Sequence, residues 1–368
     1  MPAPLSLPPS FKSLTYTSPS TPPHLTHAPL PSPSSLGPKD ILVKIHAAAI
    51  NPVDIQLWGN AMIGWVAGKK EKGIGRDYSG IVVGVGDEVR GEGEGRWEVG
   101  EEVWGLVMRP TGEGTFSQYV KVTVGIDPIA RKPKSWTFEE AAAVPLVALT
   151  AFTCLDWLPA ANSDGGQRRV IVAGASGGTG IWCVQLAKKL YNCHVTGICS
   201  AKNADFVRNM GADEIIDYTS QDIQSTLLSS LPEHRKYDLY IDCVGGTSVF
   251  NYWTSLLHRK GAYVTIVGDK TSRTVLGGPI TYLTSMSQIL RFVKGWVFGP
   301  RYANVELYTK TELLEKVLKL EETVGVKIVV QDIVKGILDE DEYEAAWEKI
   351  KGYMEGGRVR GKIVVALE

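Results

Sequence analysis

The residues whose type and spacing point most directly to chemistry are the glycines of Gly174-Ala175-Ser176-Gly177-Gly178-Thr179-Gly180. They follow the β-branched apolar run Val170-Ile171-Val172, which reads as a buried strand. Behind them Ile181, Val184, Gln185 and Lys188 recur at helical spacing. Strand, glycine turn and helix in that order lay a pyrophosphate on a helix N-terminus, where unpaired backbone N–H groups and the helix dipole favour anionic oxygens. Glycine is needed where a side chain would keep the backbone away from the phosphates. The context therefore favours a dinucleotide site over a tight turn that binds nothing. No Gly-Lys-Ser/Thr closes the loop, so it is not a P-loop.

The next strand indicates which dinucleotide. An NAD-binding unit carries an acidic residue about 20 residues after the glycines, on the ribose 2′-hydroxyl. Here His194-Val195-Thr196-Gly197-Ile198 runs into Cys199-Ser200-Ala201-Lys202, with no carboxylate at the strand tip. The hydroxyl of Ser200 and the ammonium of Lys202 suit a 2′-phosphate, which offers charge and acceptor oxygens. The expected cofactor is NADPH. Tyr218, after the third strand Glu214-Ile215-Ile216-Asp217, would add a donor. Asp205 falls inside the following helix and is expected to face water.

The elements that must position this loop alternate from about 136 to 325, as in a parallel doubly wound sheet. Later strands, Leu239-Tyr240-Ile241-Asp242-Cys243-Val244 and Ala262-Tyr263-Val264-Thr265-Ile266-Val267, end at Gly245-Gly246 and Gly268. In such sheets the ligand lies along the carboxyl ends of the strands, which brings Gly245 and Gly268 into the candidate site. A helix over Lys310 to Thr323 closes this unit.

The chain before it is different. The first 38 residues hold eleven prolines; residues 1 to about 10 are expected to fray, and Phe11 to Tyr16 to form an edge strand, where proline is tolerated. From Ile41 to about 130 short apolar runs bounded by glycines, such as Ser79-Gly80-Ile81-Val82-Val83-Gly84-Val85 and Val103-Trp104-Gly105-Leu106-Val107, indicate a β-barrel-like domain. Gly325 onward returns to short strands around a helix over Asp341 to Met354, and is expected to rejoin that first domain. The expected domains are thus 1–135 with 326–368, and 136–325.

Bulk properties exclude several classes. A length of 368 residues is enough for two domains with cores of their own. A net charge of −1 with mixed signs leaves no nucleic-acid footprint or basic membrane patch in the overall composition. Five scattered cysteines with no C-x-x-C read as free thiols in a reducing compartment. No arginine precedes Arg76 and no apolar h-region is present, so the N-terminus resembles neither a signal nor a transit peptide, and the expected compartment is the cytoplasm. The longest uncharged stretch, Ala141 to Leu155, is shorter than the ~20 residues of a membrane span and is interrupted by Pro145, so it reads as a buried helix.

These motifs add up to a family. Ala47-Ala48-Ala49-Ile50-Asn51-Pro52-Val53-Asp54, Gly75-Arg76-Asp77-Tyr78-Ser79-Gly80, Gly114-Thr115-Phe116-Ser117-Gln118-Tyr119-Val120, Ala141-Ala142-Ala143-Val144-Pro145, the glycine loop, Gly211-Ala212-Asp213 and Gly357-Arg358-Val359-Arg360-Gly361-Lys362 occur in order and at matching spacing. In this the chain resembles the medium-chain dehydrogenase/reductase superfamily, in its zinc-free quinone oxidoreductase branch. The resemblance implies an α/β fold in two parts, a GroES-like β-barrel domain and a Rossmann doubly wound parallel sheet, with the active site in the cleft between them.

It also implies a position for a catalytic zinc. Where the zinc enzymes carry a first Cys this chain has Asn51, and where they carry Gly-His-Glu it has Gly75-Arg76-Asp77. No cysteine precedes Cys154, and His24, His27 and His46 are scattered, so no metal site is expected. Without a Lewis acid the hydride acceptor must disperse its own charge, as a quinone or an α,β-unsaturated carbonyl does. By the resemblance Asn51 and Asp54 face the nicotinamide. Asn51 would donate to cofactor or substrate, and Asp54 would orient a donor or a water; as structure alone they read as a turn and as an N-cap just before Ile55. Trp58 and Trp65 are candidates for the substrate pocket, although large aromatics are more often core.

Two alternatives stay open: a free-standing enoyl-thioester reductase, for which Lys69, Lys70 and Lys72 would be a basic entrance, and a non-catalytic NADPH-binding regulatory protein. Expected partners are a small quinone or enone and, through the region of Asn304-Val305-Glu306-Leu307, a second copy in a homodimer; no nucleic acid and no membrane span are expected.

Overall fold

A computed structural model of the protein describes residues 7–61, 65, 68–93, 95–160, 166–231, 235–270 and 285–367; the expected fraying falls mostly on residues outside this set. The chain divides into two compact units, Met1–Leu146 with Thr309–Lys319 and Ile328–Glu368, and Val147–Tyr308 with Leu320–Lys327.

In the first unit β1 (Ser10–Tyr16) lies between β2 (His24–Pro29) and β4 (Lys72–Gly73) in a three-stranded sheet. The main sheet is built around β3 (Asp40–Ile50). One side of β3 pairs along its length with β5 (Asp77–Val85), which continues to β6 (Glu102–Leu106) and β8 (Ile129–Arg131). The other side is shared. Asp40 to Lys44 pair with β7 (Tyr119–Thr123), and Ala47 to Ile50 pair with the final strand of the chain. This change of partner lets β3 serve two cores. Ile41, Val43 and Ile45 join Val82, Val103 and Val122 in one, while Ala48 and Ile50 join Leu14, Ile55 and Trp347 in another. Helix α1 (Pro52–Trp58) follows β3 directly.

The second unit is a parallel sheet of β9 (Arg169–Ala173), β10 (His194–Cys199), β11 (Glu214–Asp217), β12 (Tyr237–Asp242), β13 (Leu257–Thr265) and β14 (Arg301–Asn304). Their order is β11-β10-β9-β12-β13-β14, with every pairing parallel. Numbered within the sheet this is 3-2-1-4-5-6, the order of dinucleotide-binding sheets, which reverses beside the first strand. Helix α2 (Gly178–Lys189) follows β9, and α3 (Ala204–Met210) follows β10. Helix α4 (Met286–Phe298) packs on β14. The edge strand ends at Asn304, so the segment proposed from sequence to pair with a second copy lies mostly beyond it.

The chain then returns to the first unit through β15 (Val330–Val334), helix α5 (Tyr343–Gly356) and β16 (Lys362–Ala366). β16 lies between β15 and β3. The apolar stretch Phe138–Leu155 has the length and hydropathy of a membrane span, but 83% of it is buried inside the protein, which makes it core. All five cysteines are free, and all but Cys243 are buried.

Candidate functional site

Three neighbouring strands of the first unit bring charged and amide side chains to one place. β3 ends at Ile50, so Asn51 sits just past its end; β5 starts at Asp77, opposite Ala49; β16 starts at Lys362, with Ile363 opposite Ile50. Asn51, Asp77 and Lys362 are all buried. The Lys362 ammonium donates to Asn51 Oδ1 at 2.5 Å and to Asp77 Oδ2 at 3.0 Å. Asn51 Nδ2 donates to the same Asp77 oxygen at 2.8 Å, and Asp77 Oδ1 accepts the Leu146 N–H at 2.8 Å. This pattern sets the orientation of the Asn51 amide, since only its oxygen can face an ammonium and only its nitrogen a carboxylate.

The other half of the cluster is Asp54 and Arg76, again buried. Asn51 is the N-cap of α1, Pro52 is its first residue and Asp54 its third. The sequence reading of Asp54 as N-cap is therefore corrected: the cap is Asn51, and proline's fixed φ starts the helix one residue later. Asp54 Oδ2 reaches back to the Asn51 N–H at 2.8 Å, while Oδ1 has no hydrogen-bond partner. Arg76 donates to the Gly75 and Gly73 carbonyls at 2.6 and 3.2 Å, and its Nε is unpartnered. Burial pushes the Asp54 carboxyl up to about 6, against the opposing pull of the Arg76 guanidinium. Burial also lowers the Arg76 pKa.

In the second unit the glycine loop leaves β9 and enters α2, whose cap, Gly177, provides no side chain to its first turn. A Cβ at Gly180 would stand 2.2 Å from the Gly174 carbonyl oxygen, so only glycine lets the helix approach the strand this closely. Ser176 Oγ accepts from Asn203 Nδ2 at 3.1 Å. β10 and β11 pair in register through Cys199 and Asp217, which sets Ser200 and Lys202 beyond one tip and Tyr218, exposed, beyond its neighbour. The Asp217 carboxylate accepts from the Ser220 and Thr219 hydroxyls, the Thr219 N–H and the Ala201 N–H, which hold it down at about 2. It braces the turn that carries Lys202. Asp205 is exposed within α3 and paired to Arg208, as expected.

The tips of β12 and β13 are braced in the same way. Asp242 Oδ1 accepts the Val244 and Gly245 N–H groups, and Oδ2 accepts the Tyr263 and Thr265 hydroxyls. Thr265 Oγ1 accepts the Gly268 N–H at 2.9 Å. Gly245 has φ +91°, and a Cβ there would lie 2.0 Å from the Lys270 carbonyl oxygen.

The remaining candidates separate. Trp58 belongs to the buried cluster with Leu14 and Trp347, its Nε1 donating to the Thr21 carbonyl, whereas Trp65 is 84% exposed. The basic entrance is corrected too: Lys72 is fully buried, its ammonium donating to the carbonyls of Thr17, Gly68 and Lys70. Sequence reasoning did not give Lys362, Asn203 or Asp242 a role. Lys362 begins an apolar strand, and only the register of β16 against β3 reveals its partners.

Comparison with known proteins gives this arrangement a family. Residues 37–133 match the alcohol dehydrogenase GroES-like domain, and residues 178–291 match the zinc-binding dehydrogenase family; together they span more than half of the chain. The chain belongs to the medium-chain dehydrogenase/reductase superfamily. It is 35% identical over 246 residues to the NAD(P)H oxidoreductase RTN4IP1, mitochondrial, of Bos taurus; the match covers 62% of this chain and 58% of that protein. It is 29% identical to the trans-enoyl reductase pgmF of Aspergillus terreus, over 93% of this chain and 90% of that one. The quinone oxidoreductase from Coxiella burnetii has the same fold, with TM-score 0.74 and 24% identity over 98% of this chain and 100% of that one.

The buried cluster makes two predictions. Lys362→Met leaves Asp77 charged and unpaired in the interior, and should cost about 3–5 kcal/mol in urea unfolding. Adding Asp77→Asn should restore part of that loss, whereas a loss under about 1 kcal/mol would mean that the pair is screened like an exposed one. Asp54 governs a pH dependence. Its native pKa lies above the unfolded value, so its contribution to stability is complete below about pH 4 and is lost as the pH rises through about 6. The loss amounts to about 3 kcal/mol. Unfolding free energies at the two ends of that window should differ less in Asp54→Asn by about this amount, and equal differences would show that Asp54 titrates normally.

Proposed function

We propose that the protein is an NADPH-dependent oxidoreductase that passes hydride, without catalytic zinc, to a quinone or an α,β-unsaturated carbonyl. The observation that carries this reading is the Lys362–Asp77–Asn51 network. At the positions where relatives with zinc are expected to hold it, Asn51 and Asp77 are committed to an internal ammonium, and Arg76 brings a second positive charge. Zinc takes thiolate, imidazole or carboxylate donors in a tetrahedron. Among the described residues no three His, Cys, Asp or Glu side chains are grouped to hold a metal. The donor set does not fit zinc, and the acceptor is then one whose developing negative charge is delocalised without it.

The residues of the second unit fit a dinucleotide. Gly174, Ser176, Gly177, Gly178, Thr179 and Gly180 would hold the pyrophosphate at the uncapped start of α2, with Gly245 and Gly268 lining the neighbouring tips. Ser200, Lys202 and Tyr218 would hold the 2′-phosphate. Bound there, NADPH supplies the hydride. The chain's part is orientation. Asn51, with one amide hydrogen beyond the bond to Asp77, donates to the substrate oxygen. Asp54 Oδ1, unpartnered on a carboxyl that titrates at about 6, orients a donor or a water. The 93% coverage by a trans-enoyl reductase favours a second reading, with an enoyl thioester as the unsaturated carbonyl.

The deciding assay is NADPH oxidation with an ortho-quinone beside an NADH control, in wild type and Lys202→Ala. Turnover should favour NADPH, and the substitution should raise the NADPH KM about tenfold or more while leaving that for NADH nearly unchanged. No turnover with quinone, enal or enoyl thioester would leave a binding role; an unchanged cofactor ratio would remove the assignment to NADPH. Metal analysis of the purified protein should find far less than one zinc per chain, and a stoichiometric ion would overturn the zinc-free reading.

A further inference from the structure

Helix α4 is built inside out. Its inward face is Gln288, Arg291 and Gly295, at i, i+3 and i+7. Gln288 Oε1 accepts the Tyr302 hydroxyl at 3.3 Å and Asn304 Nδ2 at 3.2 Å. Arg291 pairs through both terminal nitrogens with Asp269, one at 2.6 Å, and its guanidinium lies 4.0 Å from the Phe250 ring centre. Gly295 is close enough to the chain turning into β14 that a Cβ would stand 2.6 Å from the Pro300 carbonyl oxygen. The helix is thus held to its unit by hydrogen bonds, an ion pair and close backbone contact.

Its hydrophobic side chains face the other way. Trp296 is 80% exposed, Met286 68%, Phe298 66% and Leu290 63%, with Val293, Val297 and Ile289 also exposed. Met286, Ile289, Leu290, Val293, Trp296 and Val297 form one stripe, opposite Gln288 and Gly295. A contiguous apolar face of this kind marks an interaction surface.

The charges around it identify the partner. From Ser285 to Asn304 the chain carries no acidic residue; Arg291 is paired inward with Asp269 and Arg301 donates to the Trp157 carbonyl, which leaves Lys294 exposed beside the stripe. Beyond the end of the helix Gly299 lies against the Arg259 carbonyl, which brings the exposed Arg259 and Lys260 to the Trp296–Phe298 end. A chain of net charge −1 therefore has a local basic collar around its largest exposed aromatics. A second copy seated symmetrically on this face would bring two such collars together, which is repulsive. An anionic lipid surface satisfies both features. Acyl chains cover the stripe, headgroups meet the collar, and tryptophan favours that boundary. The helix is about 20 Å long, too short to cross a bilayer but suited to lie in its plane.

We propose that α4, with Arg259, Lys260 and Lys294, docks the protein on an anionic phospholipid membrane surface. This is independent of which acceptor takes the hydride, and its test requires no turnover. The full chain is sedimented with vesicles of equal parts phosphatidylcholine and phosphatidylserine, and with phosphatidylcholine alone, at low and high salt. Binding to the anionic vesicles should exceed binding to the neutral ones and fall with salt. Trp296→Gln with Phe298→Gln should reduce it about tenfold or more with the melting temperature unchanged, because both side chains are exposed. Lys260→Glu with Lys294→Glu should reduce it on the anionic vesicles only. Failure to sediment with anionic vesicles, or equal binding to both kinds, overturns the proposal. So does light scattering that shows a dimer dissociated by the Trp296 and Phe298 substitutions, which would make a second copy the partner.

Discussion

The arrangement of the first unit depends on one buried ammonium. Lys362 opens the last strand of the chain, and its charge is satisfied only if β16 enters beside β3 in the observed register. A slip of one residue would turn the lysine to the other face and leave Asp77 unpaired, and an unpaired buried charge costs far more than a mispacked apolar residue. The ion pair therefore enforces specificity. It selects one closure of the sheet, ties residues 311 positions apart in sequence, and holds the Asn51 amide in a single orientation.

The two units manage polarity in opposite ways. In the first, the charges of the Asn51 cluster are inside and committed to one another, and within that cluster, among the described residues, one oxygen of Asp54 and the Nε of Arg76 are left without a hydrogen-bond partner. In the second, carboxylates brace the loops at the strand ends. Asp242 and Asp217 accept backbone N–H and hydroxyl groups, which fixes the turns carrying Gly245 and Lys202. A dinucleotide site needs donors facing outward from a rigid edge, and loops braced by buried or fully hydrogen-bonded carboxylates provide that rigidity.

Much of this was legible in the chain. Three strands of the parallel sheet, β9, β12 and β13, announce themselves as apolar runs followed by glycines, because a strand buried on both faces has no polar alternation and its tip needs an unusual backbone. The glycine loop could be placed for the same reason. Legibility failed where a charge was buried. Lys72 reads as part of a solvated basic run, yet it donates to three carbonyls in the interior. Lys362 reads as the polar start of a strand. The beginning of α1 was misplaced: Asn51 read as a turn and Asp54 as the cap, but both are good caps three residues apart, and proline between them decides for the first. The period of α4 is plain, but period alone directs the apolar face inward; Asp269, Tyr302 and Asn304, which recruit the polar face, arrive from distant parts of the sequence.

The reading of α4 and that of the active site bear on each other through the chemistry of the acceptor. An enone or quinone that accepts hydride without a metal must spread charge over a conjugated system, and such molecules are apolar and poorly hydrated. They concentrate in a lipid phase, while NADPH, a multiply charged ion, stays in water. On the function proposed above, an oxidoreductase joining the two would draw on both phases. The proposed cofactor site would use the braced loops at the tips of β10, β12 and β13. The proposed docking face, an apolar stripe with a basic collar, would hold such a molecule at the boundary without anchoring it there permanently. The costs are the solubility liability of an exposed tryptophan and phenylalanine and the use of Gln288 and Arg291 where leucines would pack. A helix inverted in this way is poorly explained by folding alone, since an apolar inward face would have served that purpose as well or better.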